Sequence, residues 1–387
     1  MATNEEDTVA TFVPAEVFPP GEHIRLELNA RGWTQADLAE VMDRPLQTVN
    51  QIIGAKKRVT EETAKELEAA LGIDAAFWLK VEADYRLRHG EPAPSAIAQR
   101  AEIRRRVPLR VMIARGWIAP TNDVGEMRKR VEQFLGSPLH EHPNFAMAAK
   151  QTAYDEELSP EQEVWLLRAK KLAETMLVPA FSSAKLTQTV ELLRAMRANA
   201  EDIRLVPKLL LDAGVRFVVI ERLPGLRIDG ACFWLGTNAT KPAITMSLRH
   251  DRIDNFWFVL RHEIEHVLQG HGKAGAIVDN DLDEPTNVRE EERIANAAAA
   301  EFCVPSALLE SFIARKGPHF SDTNIRQFAQ ANGIHSGLVA GQLRNRLSQG
   351  SLGQNAWKLF TSHLEKVRHT ITSTAFVDGF GTPQSAG

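Results

Sequence analysis

His262-Glu263-Ile264-Glu265-His266 sets two imidazoles four residues apart, with a carboxylate directly after the first. On a helix this spacing puts both rings on one side, a turn apart, where they can reach the same Zn²⁺. Glu263 then lies beside the remaining coordination position, where it can take a proton from water. The chemistry this pattern implies is metal-assisted hydrolysis of a peptide bond.

A third protein ligand is needed. One large class of zinc peptidases has Gly three residues and His six residues after the second motif histidine, but here those positions hold Gln269 and Gly272. His271 is one residue out of register and either supports a ligand from behind or is exposed, the latter being expected. Downstream lies Glu290-Glu291-Glu292-Arg293-Ile294-Ala295-Asn296. A glutamate of this run fits as third ligand. Glu292 and Asn296 are four apart, so Asn296 is expected to support the Glu292 carboxylate. The same acids also favour a helix N-terminus with or without a metal, and Asn287 with Glu290 makes a plausible capping pair for it. Ala295, Ala298 and Ala299 are small enough to let this helix approach the motif helix closely.

A second constellation lies near the N-terminus. Thr34 with Asp37 forms a capping-box pair for an amphipathic run over residues 35–42. Asp43-Arg44 makes a turn, Pro45 suits a first helical position, and a second helix is expected over residues 46–53, stopping at Gly54. Two short helices joined this tightly form a helix-turn-helix, whose second helix enters the major groove of DNA. Leu46, Val49 and Ile53 are expected to face the core, leaving Gln47, Thr48, Asn50 and Gln51 outward to hydrogen-bond base edges. Lys56, Lys57 and Arg58 follow at once, placed to touch phosphates.

The elements that must position these groups are legible in outline. Ile253, Phe256, Trp257, Leu260, Ile264, Val267 and Leu268 form an apolar stripe at helical period. His262 and His266 fall on roughly the opposite face, which is either solvated or lines a cleft. Three β-branched or aromatic runs precede this helix: Val215 to Ile220, Ala231 to Leu235 and Ala243 to Leu248. One of these strands is expected to align substrate by edge pairing. The fold expected is mainly α with a small β-sheet (α+β): a helix-turn-helix domain, a helical middle and a zincin-like C-terminal domain. The expected divisions are an arm at residues 1–18, the helix-turn-helix at 19–89, a linker and helical connection at 90–213, the zinc domain at 214–370 and a flexible tail at 371–387. Gly90-Glu91-Pro92-Ala93-Pro94-Ser95 is the linker candidate, since Pro and Gly there cannot continue a helix.

The 387 residues carry a net charge of −4, so any DNA-binding surface must be local. Only two cysteines occur, Cys232 and Cys303, far apart, which argues against a disulfide framework and fits a reducing cytoplasm. The acidic start of the chain argues against a signal peptide.

Two stretches resemble known families. Gly32-Trp33-Thr34-Gln35-Ala36-Asp37-Leu38-Ala39, Thr48-Val49-Asn50-Gln51-Ile52-Ile53-Gly54, Thr63-Ala64, Leu71-Gly72 and Phe77-Trp78-Leu79 resemble the HigA-type antitoxin branch of the XRE helix-turn-helix family. That resemblance implies operator DNA as partner, a homodimer and a cognate toxin. Asp229-Gly230-Ala231, Arg261-His262-Glu263, His266, Glu292 to Asn296, Phe302 to Pro305, Gly333-Ile334-His335 and Val339-Ala340-Gly341 resemble the ImmA/IrrE family of zinc peptidases. That resemblance implies Zn²⁺ on His262, His266 and Glu292, Glu263 as general base, and a repressor protein as substrate. Glu265 departs from the small residue usual before the second histidine, and Ala298 stands near a more usual Phe. His335 is read as structural or as polarising a substrate. The functions expected are a regulator whose peptidase cuts a repressor or its own linker, or an antitoxin whose zinc domain senses or binds a partner without turnover.

Overall fold

The computed structural model describes residues 17–91, 94–141, 150–151, 158–273, 275–279, 290–350 and 352–380. Most of the expected arm and Asn287 lie outside them. The chain divides into two compact units, residues 1–94 and 95–387.

Unit 1 is helical: Pro20–Arg31, Gln35–Val41, Leu46–Ile53, Glu61–Leu71 and Ala75–His89. Its ends are set by local chemistry. The Thr34 side chain accepts from the Asp37 N–H while Asp37 accepts from the Thr34 N–H, a complete capping box. Thr60 and Asp74 cap the last two helices by simple side-chain acceptance, from the Thr63 and Ala76 N–H groups. Pro45 stands at the N-cap rather than at the first helical position. The left-handed residue after Leu46–Ile53, the reading helix, is Ala55, at φ 56°, while Gly54 keeps a negative φ. Ile24, Leu28, Leu38, Val49, Ile52, Leu67 and Trp78 fill one core. Gly21 is required where the first helix meets the end of the reading helix, since a Cβ there would overlap the Ile53 carbonyl. Leu46, expected in the core, is instead 44% exposed.

Unit 2 is built on one sheet of six strands: β1 (Lys150–Gln151), β2 (Arg216–Ile220), β3 (Gly230–Leu235), β4 (Lys241–Met246), β5 (Ile277–Asp279) and β6 (Phe376–Asp378). Their order is β1-β5-β3-β4-β2-β6. β3 runs antiparallel to both its neighbours, and the other pairings are parallel. The fold is mainly helical with a small sheet, as expected. β2, β3 and β4 lie inside the sheet, so none is the edge strand expected to align substrate.

Alternate residues of these strands enter two different cores. Phe217, Val219, Cys232, Trp234, Ile244 and Met246 join the core containing the motif helix, Ile253–Gln269. Val218, Ile220, Ala231, Phe233, Leu235 and Ala243 join a core built with Ile103, Met112, Val131, Phe134 and Trp165. The middle region is therefore not a separate connection. Its first part, Ile103 to Ala173, covers the second face of the sheet, while Leu186 to Leu210 join the core of the motif helix, so the expected boundary at 213/214 is corrected. Each fully buried large apolar side chain contributes about 1.5–3 kcal/mol, so a sheet apolar on both faces requires this cover.

The expected flexible tail is corrected too. Residues 376–378 pair with β2 as β6, and Asp378 accepts a hydrogen bond from Trp117 Nε1 (3.0 Å) and pairs with Arg168. Residues 381–387 lie outside the described residues. Among the described residues, no single helix is long and apolar enough to cross a membrane.

Candidate functional site

The motif helix is buried on nearly every side, with His262, Glu263 and His266 all 0% exposed. The two histidines therefore do not face solvent. The neighbouring helix Glu290–Cys303 packs along it through Ala295 and Ala299, both fully buried, as their small size predicts. This packing carries Glu292 to the histidines. His262 Nε2 and His266 Nε2 are 3.0 Å apart, and Glu292 Oε2 lies 3.2 Å from the first and 3.5 Å from the second. Ligands held about 2.0–2.1 Å from one tetrahedral cation stand about 3.3 Å apart, so this triangle fits such an ion. Glu292 Oε2 is buried and accepts no hydrogen bond, which a cation facing it would remedy. Among the described residues, His262, His266 and Glu292 form the one group of potential ligands gathered this closely.

The outer ring nitrogens are also engaged. Asn296 Oδ1 is 3.1 Å from His262 Nδ1. Asn296 thus supports His262, not Glu292 as expected, because one helical turn beyond Glu292 it faces the imidazole across the helix pair. With Nδ1–H donating to that oxygen, the Nε2 lone pair is directed at the donor triangle. His266 Nδ1 lies 3.0 Å from His271 Nδ1. His271 is half-buried rather than exposed, because Gly270 takes a left-handed φ of 73° and folds the chain back on the last turn. The His271 N–H then donates to the His266 carbonyl (2.8 Å). Burial first, and the adjacent His266 second, hold the His271 imidazole below its ordinary value. At 3.0 Å the His271 Nδ1 is placed to accept a hydrogen bond from His266 Nδ1–H. Gly270 was the sequence signal for this placement.

Glu263 lies against the start of β3, where a Cβ at Gly230 would overlap its carboxylate. Glu265 faces away, bonded to Arg261 (2.7 Å) and Gln269 (2.6 Å). Burial raises its pKa, but these hydrogen bonds and the Arg261 charge outweigh that and hold it below the usual carboxylate value. His335 is a cap: its Nδ1 accepts from Gly337 N–H and its Nε2 meets Glu365, each at 3.0 Å. A cavity lined by Asp229, Asn255, Phe258, Gln342, Asn345 and Trp357 runs along the motif helix, and the Phe258 ring stacks 6.4 Å from that of His262.

In unit 1 the reading helix presents Gln47, Asn50 and Gln51 exposed and Thr48 half-buried. Lys56, Lys57 and Arg58 are exposed just beyond it. Leu46 adds an apolar group at its N-terminal end, which binary patterning had assigned to the core. The framework behind these groups is fixed, with Arg44 bonded to Glu66 (2.7 Å) and Arg86 to the Ala55 carbonyl (2.9 Å).

Residues 24–78 match the family Helix-turn-helix. Virulence-associated protein A of Dichelobacter nodosus is 32% identical over 78 residues, a stretch covering 19% of this chain and 76% of that protein. The matched segment is the one that folds into two short helices around Asp43 and Arg44, with polar side chains outward and cations at its end. Through this first unit the chain belongs to the XRE-type helix-turn-helix family of DNA-binding transcriptional regulators.

Proposed function

We propose that this regulator is a HigA-type repressor and antitoxin, binding operator DNA as a homodimer, and that unit 2 is a zinc peptidase of the ImmA/IrrE kind. Its substrate is a repressor protein or this chain itself. One observation carries the peptidase reading: three buried donors from two helices converge with the spacing a tetrahedral cation needs, beside a buried glutamate.

His262, His266 and Glu292 would hold Zn²⁺, which would supply the Lewis acidity for carbonyl polarisation and a lowered water pKa. Glu263 takes a proton from the attacking water as its oxygen adds to the carbonyl carbon. It then passes that proton to the amine as the C–N bond breaks. Asn296 and His271 hold the two imidazoles in the tautomer that leaves Nε2 free. The cavity beside Phe258 is suited to a substrate side chain, with Asn255, Gln342 and Asn345 offering amide hydrogen bonds. On the DNA, Gln47, Asn50 and Gln51 contact base edges, Leu46 a thymine methyl, and Lys56, Lys57 and Arg58 phosphates.

Residues 90–95 are the natural self-cleavage site, of which 92–93 lie outside the described residues. The test has two stages. Elemental analysis is expected to give about one zinc per wild-type chain and none in His262→Ala or Glu292→Ala. Zinc-loaded wild type is then expected to release a fragment ending near residue 90 or to cut a partner repressor, while Glu263→Gln does neither. Zinc-free wild type that still binds DNA overturns the peptidase reading.

A second reading is favoured by the complete burial of His262, Glu263 and His266. Structural zinc sites are closed, whereas catalytic ones keep an open position. On this reading unit 2 is a sensing or partner-binding module, and full zinc loading without any cleavage identifies it.

A further inference from the structure

Unit 2 begins with helix Ser95–Arg106, which buries Ile103 against the middle-region core. Its charges divide sharply by face. On the inner side, Arg106 forms two hydrogen bonds with Glu163 (2.6 and 2.7 Å), and Glu102 meets Arg128 (3.1 Å). Arg100, Arg104 and Arg105 lie on the outer side, exposed, and Arg110 is exposed on the next helix, Leu109–Ala114. Among the described residues none of these four has an acidic partner. The arginines of the adjacent helix Val124–Leu135 contrast with them: Arg128 pairs with Glu102 and Glu132, and Arg130 with Glu126. Glu102 is the single acid between residues 95 and 110, and it is already engaged. Four exposed guanidinium groups without acidic partners thus fall between residues 100 and 110 of a chain whose net charge is −4.

Guanidinium groups without carboxylates suit phosphate, to which they donate paired hydrogen bonds. The polymer of phosphates this chain already engages is duplex DNA. The covalent chain is short here: five residues lie between His89 and Ser95, and the six steps between them span at most about 20 Å. Helix Ser95–Arg106 is therefore joined to the DNA-reading unit by a short covalent connection.

We propose that Arg100, Arg104, Arg105 and Arg110 form a second DNA contact, gripping the phosphate backbone of the duplex that flanks the sequence read by Leu46–Ile53. The contact carries no base information. It adds affinity and salt dependence, and ties the first helix of unit 2 to the DNA while the reader is bound.

The test uses the full chain and a duplex of unrelated sequence, about 30 base pairs long, titrated between roughly 50 and 200 mM salt. A variant with Arg100, Arg104, Arg105 and Arg110 all changed to Gln is compared with wild type. Removing one arginine–phosphate pair lowers the slope of log affinity against log salt by about 0.9, so a decrease of about 2–4 is expected. Across that salt range wild type then loses up to about a hundredfold more affinity than the variant. The corresponding Lys variant is expected to keep most of the wild-type slope, since the charge persists. Equal slopes for wild type and the Gln variant overturn the proposal and leave an acidic protein as the partner of this face. A Lys variant with the slope of the Gln variant also overturns it, because the effect would then not follow charge. Changing Gln47 and Asn50 to Ala leaves the difference in slope intact, separating this surface from the reading helix.

Discussion

Asn296 decides which nitrogen of His262 faces the donor triangle. Its amide oxygen accepts the Nδ1 proton, and Nε2 is left with its lone pair toward Glu292 Oε2. Removing that acceptor frees the ring to rotate and to change tautomer. Asn296→Ala is therefore expected to weaken zinc binding about 10–100-fold while all three ligands remain, as read by competition with a chelator. Unchanged affinity would mean that the helix packing alone orients the ring. Cys303 makes a different prediction. Burial pushes its thiol up to about 12 from 9.0, against a smaller opposing effect of the Arg197 charge. A raised pKa means the unfolded chain gives up the proton first. The contribution to stability is complete below pH 9 and is lost as pH rises from 9 towards 12. Denaturant unfolding between these limits should show a falling midpoint that flattens in Cys303→Ala. At pH 8 a thiol reagent should modify Cys303 only after unfolding; rapid reaction with the native chain would show that the thiol is not sealed.

At the scale of elements, Gly230 links the sheet to the chemistry. A side chain there meets the Glu263 carboxylate and lies 3.0 Å from Val259 Cγ1, so the start of β3 and the motif helix can pack this closely only around a glycine. Gly230→Ala is expected to displace Glu263 and to cost about 1–3 kcal/mol through overpacking. The measurements are thermal unfolding, expected to shift down, and zinc content, expected to hold because the ligands sit on other residues. If both are unchanged, Glu263 has room the structure does not give it. The elements around the site were legible in unequal measure. The histidine spacing, the Thr34 box and the three strand runs are local patterns, and each appears within a residue or two of its expected bounds. Leu46 and His271 were misread because a periodic pattern does not know which face a neighbour covers. The two-residue β1 and the three-residue β5 and β6 carry too little sequence to register as strands. β6 is held by Trp117 and Arg168, each more than 200 residues away in sequence. The role of the middle region could have been found: Phe217 to Ile220 is apolar without alternation, which calls for a cover on both faces.

For the whole molecule, the division at residues 94/95 predicts how damage spreads. Unit 1 has its own core around Leu38, Val49, Leu67 and Trp78. The cores of unit 2 draw on residues from Ile103 to Ile371 and close with β6 near the end of the chain. Asp378 is the point where that closure can be probed. It is 3% exposed and satisfies both Arg168 and the Trp117 indole N–H. Asp378→Ala leaves a cation without its partner in a largely buried place, and breaking such a pair costs about 3–5 kcal/mol. Only residues packed with unit 2 feel that loss. In a calorimetric scan of the full chain, the transition of unit 2 is expected to move down by several degrees while that of unit 1 stays in place. Tryptophan emission separates the two. Trp33 and Trp78 report on unit 1, whereas Trp117, Trp165, Trp234, Trp257 and Trp357 report on unit 2. Two transitions moving together would mean that the units unfold as one body and that the boundary at 94/95 is only a change in packing density.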